Sequence, residues 1–324
     1  MHRVLSGIQP SGDPHIGNYL GAWLRWVGEQ VPGHFFCIVD QHAITVPYDP
    51  ADLRQRTVDL ATWLLAAGLD PEVCTLFVQS QVREHTELAW ILNCVATMGE
   101  LARMTQFKEK SEGRDSVSVG LFDYPVLQAA DILLYQAEQV PIGADQRQHV
   151  ELTRDLAARF NHRFGDTFTL PQPTFPTVGA RVMDLQLVDK KMSKSLGPAG
   201  TLLLNDEEAT TRKKLMRAVT DSGSEVRAER DKPGVTNLLD LFAAVTGATV
   251  PELEDRYSGK GYGDFKGDLA EAVNGVLRPL RERHAELSED PEAVTDILRL
   301  GATRAREVAT TTMQTVRERL GFLR

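Results

Sequence analysis

The sequence has few cysteines, no long apolar run and no excess of positive charge. Its three cysteines, Cys37, Cys74 and Cys94, are widely spaced among 324 residues. An odd, scattered set argues against a disulfide framework, and we interpret all three as reduced packing residues, since free cysteine behaves as a small hydrophobe. The longest apolar runs, such as residues 61–67, are far too short to span a bilayer.

The net charge of −9 is not that of a protein that binds nucleic acid over its whole surface. The N-terminal MHRVLSGIQP also lacks the apolar stretch of a secretory signal. We therefore expect a cytoplasmic protein with no DNA partner and no membrane partner, in which any nucleic-acid contact comes from local basic patches. One candidate patch is the segment 181–217. A second, for which a solvated helix face is an equal alternative, comprises Arg278, Arg281, Arg283, Arg304, Arg306, Arg317 and Arg319.

The length and composition fit two globular domains. A chain of 324 residues is long for one domain, and its 42% hydrophobic and 25% charged residues are typical of buried cores. Short apolar runs alternate with helical patterns in the first half, which is typical of a parallel sheet covered on both faces. Strands are predicted at residues 4–8, 35–39, 75–79 and 138–143, with a possible fifth at 178–183.

The second half is almost wholly helical in pattern. A mostly helical insertion is predicted over about 99–137, and further helices over 206–219, 237–245, 251–257, 264–287 and 291–320. We predict the α/β class, with a Rossmann-type parallel-sheet catalytic domain over residues 1–190. A smaller all-helical domain follows over 191–324 and begins with a lysine-rich loop.

The segment QPSGDPHIGN at residues 9–18 lies where a predicted strand turns into a helix. Free backbone N–H groups and the helix dipole at such a turn favour an anion such as a triphosphate. Gly17 would let a flat base approach the backbone, and His15 adds a hydrogen-bond donor. Alone, the pattern is also compatible with an ordinary strand–turn–helix that carries a surface histidine.

The segment KMSKS at residues 191–195 places two lysines and two hydroxyls in five residues. Such a loop suits a leaving pyrophosphate, because cations placed where charge develops lower the barrier. The alternative is an exposed basic loop, but a chance match to five specified residues is rare in a chain of this length.

The two segments resemble the HIGH and KMSKS signatures of class I aminoacyl-tRNA synthetases. The wider sequence resembles the bacterial tryptophanyl-tRNA synthetases, in the stretches SGIQPSGDPHIGNYLGA, FCIVDQHAITV, MTQFKEKS, GLFDYPVLQAADILLYQ, GADQRQHVELTRDLA, AVTDS, KPGVTNLLDLF and GKGYGDFKGDLA. This resemblance implies an ATP-dependent ligase that forms tryptophanyl-adenylate from L-tryptophan and transfers the tryptophan to tRNA(Trp). It also implies a homodimer, with Mg²⁺ carried in on ATP and no resident metal.

The same resemblance implies the site residues. Lys110, Lys191 and Lys194 would hold the pyrophosphate, and His15 would act beside them as a catalytic donor. ATP would contact Gln9, Pro10, Ser11, Gly17, Asn18, Gly143, Ala144, Asp145, Val182, Lys191, Met192, Ser193, Lys194 and Ser195. The tryptophan pocket would contain Leu5, His42, Tyr124, Asp131, Val140, Ile142 and Gln146.

Asp131 is the predicted specificity residue for a physical reason. The indole nitrogen only donates a hydrogen bond and a carboxylate only accepts one. A buried carboxylate at that point is left unpaired by an analogue that lacks the donor, so the site rejects it. The alternative, a solvated helix carboxylate, fits poorly with the apolar run 129–134. His42 and Gln146 are equally compatible with satisfied structural polar residues, and His149 with a hydrogen-bonding histidine rather than a zinc ligand.

Three departures from the family pattern bear on the expected function. Gln128 stands where a methionine is common, Ala144 replaces an acidic residue, and residues 196–201 lack the usual acidic, Asn-rich run. Three alternatives remain open on the residues alone. They are a tyrosine-specific synthetase, a nucleotidyltransferase that adenylates a phosphorylated cofactor, and a synthetase paralogue that charges no tRNA.

Overall fold

The computed structural model describes residues 2–113, 116–175 and 182–323. Its centre is one parallel sheet of five strands in the order β3-β2-β1-β4-β5. The strands are β1 (Val4–Ile8), β2 (His34–Ile38), β3 (Thr75–Val78), β4 (Gln139–Pro141) and β5 (Gln172–Thr174). The predicted Rossmann-type α/β class is confirmed, since helices connect strands that run in one direction.

The edge strand β5 is the strand that the sequence pattern does not predict. Its residues, Gln172-Pro173-Thr174, are few and polar, and a proline is tolerated at a sheet edge. The possible strand at 178–183 lies largely outside the described residues. Its last member, Met183, makes only an isolated antiparallel bridge with Lys191.

The helices of the first half surround the sheet. They are α1 (Ile16–Asn18), which continues through a π-helical turn (Tyr19–Trp23) into α2 (Leu24–Glu29), then α3 (Asp40–Ala43), α4 (Pro50–Ala66), α5 (Glu84–Asn93), α6 (Met98–Ala102), α7 (Thr105–Ser111), α8 (Val119–Leu134) and α9 (Arg147–Phe164). The second half contributes α10 (Glu208–Met216), α11 (Pro233–Thr246), α12 (Val250–Arg256), α13 (Tyr262–Ser288) and α14 (Pro291–Leu320). Within the described ranges, no helix is both long enough and apolar enough to cross a membrane.

Local signals set the ends of α4. The side chain of Asp49 accepts hydrogen bonds from the N–H groups of Ala51 and Asp52, as the cap of a helix whose first residue is Pro50. Gly68 follows the helix with a φ of 104°, a conformation that favours glycine. The capping aspartate, the proline of the first turn and the glycine after the end are signals that mark this helix in the sequence itself.

Alternate side chains of the strands fill two apolar clusters, one on each face of the sheet. Phe36 and Ile38 belong to the cluster covered by α4, α11 and α13, whereas Phe35 and Cys37 belong to the cluster covered by α5, α8 and α9. Cys37 is buried as predicted, but the prediction of a packing role was wrong for Cys94, which is exposed at the end of α5.

The last helix, α14, packs directly against β3 and shares the cluster of α5 and α8. Gly301 makes this approach possible, since an added Cβ would lie 1.8 Å from the carbonyl oxygen of Leu76. Arg317 forms an ion pair with Glu87 of α5 at 2.5 Å. The C-terminal helix is thereby fastened to the parallel sheet.

Several of the arginines predicted as a basic patch bind groups within the chain. Arg304 and Arg306 donate to the carbonyl oxygens of Pro71 and Gln81. In α13, Arg278 pairs with Glu208 at 2.6 Å. These arginines connect elements of the fold to one another. Neither a solvated helix face nor a basic patch open to nucleic acid would predict such internal contacts.

Candidate active site

The first cavity lies at the carboxyl ends of β1, β2 and β4. Gln9 follows β1, Val39 follows β2, and Ile142 follows β4, and all three line a space of about 360 Å³. The strand order reverses between β1 and β4, which is the position where open α/β sheets bind their ligands.

This cavity brings together all seven residues expected around tryptophan and three others of the predicted site. They are Leu5, His42, Tyr124, Asp131, Val140, Ile142 and Gln146, together with Gln9, Lys110 and Gly143. Apolar walls with a few convergent polar groups are typical of small-molecule sites.

Asp131 is the buried acceptor of the cavity. Its Oδ2 lies 2.7 Å from Nε2 of His42, and its Oδ1 accepts from Nε2 of Gln79 at 2.7 Å and lies 2.6 Å from Nδ1 of His85. Burial opposes ionisation, but the charges and hydrogen bonds of His42 and His85 hold the pKa of this carboxyl well below its usual range. The cavity therefore contains a fixed, ionised acceptor.

Tyr124 forms a second polar point on the wall. Its hydroxyl donates to Oε1 of Gln106 at 3.1 Å and lies 3.0 Å from Nε2 of His149. Nζ of Lys110 lies 4.8 Å from the centroid of the tyrosine ring. Burial, with the charge of Lys110, lowers the pKa of His149 to about 4, so this histidine is neutral at pH 7 and acts as a hydrogen-bonding residue.

The unusual Gln128 belongs to the same wall. Its Nε2 donates to Oε1 of Gln146 at 3.4 Å, and Nε2 of Gln146 donates to Oδ2 of Asp145 at 2.7 Å. Gln106 also contacts Asp145, at 3.3 Å. A glutamine at position 128 thus extends a polar chain from the pocket to the loop after β4.

The second cavity, of about 470 Å³, lies beside the strand–turn–helix at residues 9–18. Ser11, His15 and Asn18 line it from the turn, and Ser193 and Lys194 line it from the lysine loop. Gln9 lines both this cavity and the first. The two sequence motifs therefore meet at one cleft, which shares Gln9 with the first cavity.

A direct hydrogen bond closes the cleft. Nζ of Lys194 donates to the carbonyl oxygen of Ser11 at 2.9 Å and crosses over Gly12. Gly12 has a φ of 63°, and an added Cβ would lie 2.4 Å from that Nζ. The glycine gives both the backbone turn and the space that the lysine needs.

Backbone pairing holds the remaining parts of the cleft. The N–H of Met192 donates to the carbonyl oxygen of Val182 at 3.0 Å, and the N–H of Ile16 donates to that of Leu202 at 2.9 Å. A Cβ added to Gly17 would lie 3.8 Å from Cβ of Val182. Gly17, Val182 and Met192 are thus neighbours of the cleft, as expected for a nucleotide site.

The charges of the cleft are arranged for an anion. Burial, together with the charges of Lys194 and Lys191, lowers the pKa of His15 to about 4, so its ring is neutral at pH 7. Burial also lowers the pKa of Lys194 to about 8, against the attraction of Asp13 and with the repulsion of Arg56. A bound polyphosphate would favour the charged form of this lysine.

Seven predicted ATP contacts with described side chains line neither cavity: Pro10, Gly17, Asp145, Val182, Lys191, Met192 and Ser195. Pro10 lines a neighbouring surface depression beside Tyr48, and the hydroxyl of Ser195 lies 2.9 Å from that of Ser193. Lys191 forms its backbone bridge with Met183. The backbone of Ala144 begins a short turn (Ala144–Gln146), but its side chain is outside the described part of the chain.

Sequence reasoning missed Gln79 and His85, two of the three partners of Asp131. Gln79 directly follows β3, so the rule that sites lie at the carboxyl ends of strands could have indicated it. His85 lies in the first turn of α5, and no local pattern marks it. Among the residues that the structure describes, no three His, Cys, Asp or Glu side chains are grouped so as to hold a metal ion.

The cationic cleft and the pocket with its buried acceptor share Gln9 and lie where the strand order of the Rossmann sheet reverses. This arrangement defines an α/β enzyme that brings a nucleotide together with a second small substrate. The profile of the family described as tRNA synthetases class I (W and Y) matches residues 1–278. The chain belongs to this family.

Curated relatives match along their full length. The chain is 55% identical over 327 residues to tryptophan–tRNA ligase 2 of Streptomyces avermitilis, an alignment that covers 99% of this chain and 97% of that protein. It is 52% identical over 326 residues to the tryptophan–tRNA ligase of Caldanaerobacter subterraneus subsp. tengcongensis, covering 100% and 99% of the two chains.

Solved structures match the whole fold. The tryptophanyl-tRNA synthetase of Mycoplasma pneumoniae superposes with a TM-score of 0.89 at 37% identity, covering 100% of this chain and 98% of that one. The Campylobacter jejuni enzyme complexed with ADP and tryptophan superposes with a TM-score of 0.86 at 39% identity, covering 99% and 100%. The tyrosyl-tRNA synthetase of Archaeoglobus fulgidus, at 19% identity, shares the fold with a TM-score of 0.69 and covers 87% of this chain and 90% of that one.

Proposed function

We propose that this protein activates L-tryptophan with ATP and transfers it to tRNA(Trp). The observation that carries the proposal is the position of Gln9, which lines both the pocket that holds the ionised Asp131 and the cleft that Lys194 lines. The full-length similarity to tryptophan–tRNA ligases supports tryptophan over tyrosine as the amino acid.

In the first step, a carboxylate oxygen of tryptophan attacks the α-phosphorus of ATP. The bond from that phosphorus to the bridging oxygen breaks, and pyrophosphate leaves with the electron pair. In the second step, a ribose hydroxyl of the tRNA attacks the carbonyl carbon of the adenylate, and AMP leaves. Both steps require the reacting atoms to be held in contact. Two neighbouring cavities that share Gln9 can hold the two substrates in this way.

The amino-acid pocket selects by hydrogen bonding. Asp131 accepts the indole N–H, while Tyr124 and Gln146 stand on the opposite wall near the polar end of the substrate. The side chains Leu5, Val140 and Ile142 contact the ring. Phenylalanine has no donor for Asp131, so its binding would leave one acceptor position of this buried carboxylate unfilled and is strongly disfavoured.

The cleft acts on the triphosphate. Lys194 exchanges the carbonyl of Ser11 for phosphate oxygens, and Lys191 and Lys110 approach the same leaving group. The neutral His15 donates one ring N–H to a phosphate oxygen, since its lowered pKa keeps it uncharged. Mg²⁺ enters as part of the ATP substrate. Because cationic charge matters most as the bond breaks, these lysines act chiefly on the rate.

The proposal extends to the assembly and the division of the chain. Residues 1–190 form the catalytic domain and 191–324 carry the lysine loop and the helices that meet tRNA. Three strongly exposed apolar side chains, Trp90, Met98 and Val119, lie on α5, α6 and α8, and they support a homodimer formed through the catalytic half. The working compartment of this homodimer is the cytoplasm.

Exchange of labelled pyrophosphate into ATP, measured with each of the twenty amino acids, tests the activation step. We expect exchange with tryptophan and at least about a thousandfold less with tyrosine or phenylalanine. Faster exchange with tyrosine would replace the amino acid in this proposal, and the absence of exchange with every amino acid would end it. Charging of purified tRNA(Trp) then separates a ligase from a paralogue that activates tryptophan without transferring it.

A further inference from the structure

A chain of buried polar groups continues from Asp131 away from the pocket. His85 and Tyr135 are fully buried, and Nε2 of His85 lies 2.8 Å from the hydroxyl of Tyr135. His85 does not line the cavity, so it can touch the substrate only through Asp131. A buried histidine with both ring nitrogens in hydrogen bonds is held in one orientation.

We propose that His85 is a positioning residue that sets the selectivity for the indole N–H, because it fixes which lone pairs of Asp131 remain for the substrate. This inference rests on the proposed function, since it concerns recognition of tryptophan at the same site. It assigns a role to a residue that makes no direct contact with the amino acid.

The direction of each hydrogen bond follows from the groups involved. An ionised carboxylate only accepts hydrogen bonds, so Nδ1 of His85 must carry a proton and donate a hydrogen bond to Oδ1 of Asp131 at 2.6 Å. In the neutral ring, Nε2 is then an acceptor and the hydroxyl of Tyr135 donates to it. Tyr135 thereby favours the tautomer that Asp131 needs.

The occupancy of the carboxylate leaves one place for a ligand. Oδ1 is filled on both lone pairs, by Nε2 of Gln79 and Nδ1 of His85. Oδ2 has one partner, Nε2 of His42, and keeps a second lone pair. The indole N–H of tryptophan is a single donor and matches this single vacancy on Oδ2.

Loss of His85 would free a lone pair on Oδ1 and remove the contact that fixes the carboxylate from the side of α5. The carboxylate could then rotate or bind water, and its hydrogen bond with the indole N–H would be weaker. The hydrogen bond from His85 also helps to hold the pKa of Asp131 below its usual range in spite of the burial of this carboxyl. Selectivity for the donor should therefore fall more than binding of the aromatic ring.

The test compares two substrates in the pyrophosphate-exchange assay on the full-length enzyme. One is tryptophan, and the other is 3-benzothienylalanine, in which sulfur replaces the N–H of the ring. In His85→Leu, we expect kcat/KM for tryptophan to fall about tenfold or more, as for loss of a hydrogen bond to a charged group. The value for the sulfur analogue should change less than about threefold, so the ratio of the two falls. His85→Asn, whose amide can donate from near the position of Nδ1, should restore most of that ratio.

A matched control is His149→Leu, which removes a buried histidine that contacts Tyr124 rather than Asp131. It should impair both substrates in similar proportion and leave their ratio unchanged. If folded His85→Leu, checked by its thermal transition, also leaves the ratio unchanged, the positioning role is overturned.

If His85→Leu does not fold, Tyr135→Phe decides, since it removes only the hydroxyl that sets the tautomer. A lowered ratio in that variant supports the inference, and an unchanged ratio overturns it. A wild-type enzyme that activates no tryptophan contradicts the proposed function. An active enzyme whose variants show an unchanged ratio of the two substrates contradicts only the role of His85.

Discussion

The lowered pKa of Lys194 predicts how ATP use depends on pH. Burial in the cleft lowers this pKa to about 8, so the ammonium charge is present below pH 8 and is lost as the pH rises above it. If Lys194 binds the triphosphate, kcat/KM for ATP must fall with the charged fraction. This parameter reports the free enzyme, to which the pKa belongs.

The magnitude follows from a single titration. With a pKa of about 8, roughly nine tenths of the lysine is charged at pH 7 and roughly one tenth at pH 9, so kcat/KM for ATP should fall about tenfold between those values. The parameter kcat should fall less, because a bound triphosphate favours the ammonium form and raises the pKa of the lysine in the complex.

Pyrophosphate exchange at saturating tryptophan and limiting ATP measures the profile. Lys194→Arg is the first control, since arginine stays charged throughout this range; its activity should be lower but nearly constant from pH 7 to 9. Lys190→Arg is the second. Lys190 lies in the same loop, exposed and 3.7 Å from Asp189, and its replacement should keep the wild-type fall. A profile that stays level to pH 10, or an equal fall in Lys194→Arg, would refute the reasoning.

Three further predictions concern single substitutions, the last of them with a matched control. Lys194→Ala should lower the activation rate far more than it weakens tryptophan binding, and pre-steady-state rates beside equilibrium titration would detect an equal loss in both, contrary to expectation. Asp131→Asn should raise KM for tryptophan about a hundredfold and change KM for ATP less than about threefold, because it removes the charged acceptor from one substrate only; an unchanged KM for tryptophan removes Asp131 from the pocket. Gly301→Ala should destabilise the protein by about 2 kcal/mol or more, since the new Cβ would lie 1.8 Å from a carbonyl oxygen. Gly275→Ala, in an open part of α13 with no atom within 4 Å of the new Cβ, should instead stabilise it by about 0.5–1 kcal/mol; shifts of the same sign in thermal unfolding would contradict the packing of α14.

The sequence predicts the local features of the fold well, for identifiable reasons. The strand β1 is an apolar run of the expected length, and α4 has both a capping aspartate and a glycine after its end. In contrast, β5 is short and polar and contains Pro173, so no strand pattern exists to read. The periodicity of α14 indicates a buried face, but periodicity does not tell which element covers that face, and its return to β3 was not foreseen.

In the site, too, local features are predictable from the sequence and long-range contacts are not. The two motifs are local, and the prediction that they meet is confirmed by the contact between Lys194 and Ser11. The amino-acid pocket was predicted from resemblance rather than from residue patterns. The sequence does not predict Gln79 and His85 as partners of Asp131, because their role depends on where α5 and β3 lie relative to α8. A single sequence carries no sign of such long-range hydrogen bonds.

The backbone pairs on either side of the lysine loop limit what that loop can do. Met192 is tied to Val182 on one side, and Gly200 and Leu202 are tied to Leu185 and Ile16 on the other. Residues 193–199 therefore form a seven-residue span between two held ends. Lys194 is the second residue of this span, two positions after Met192, and its side chain reaches the carbonyl oxygen of Ser11. Residues 196–199 lie inside this span, so their composition affects the span itself and not the position of its held ends.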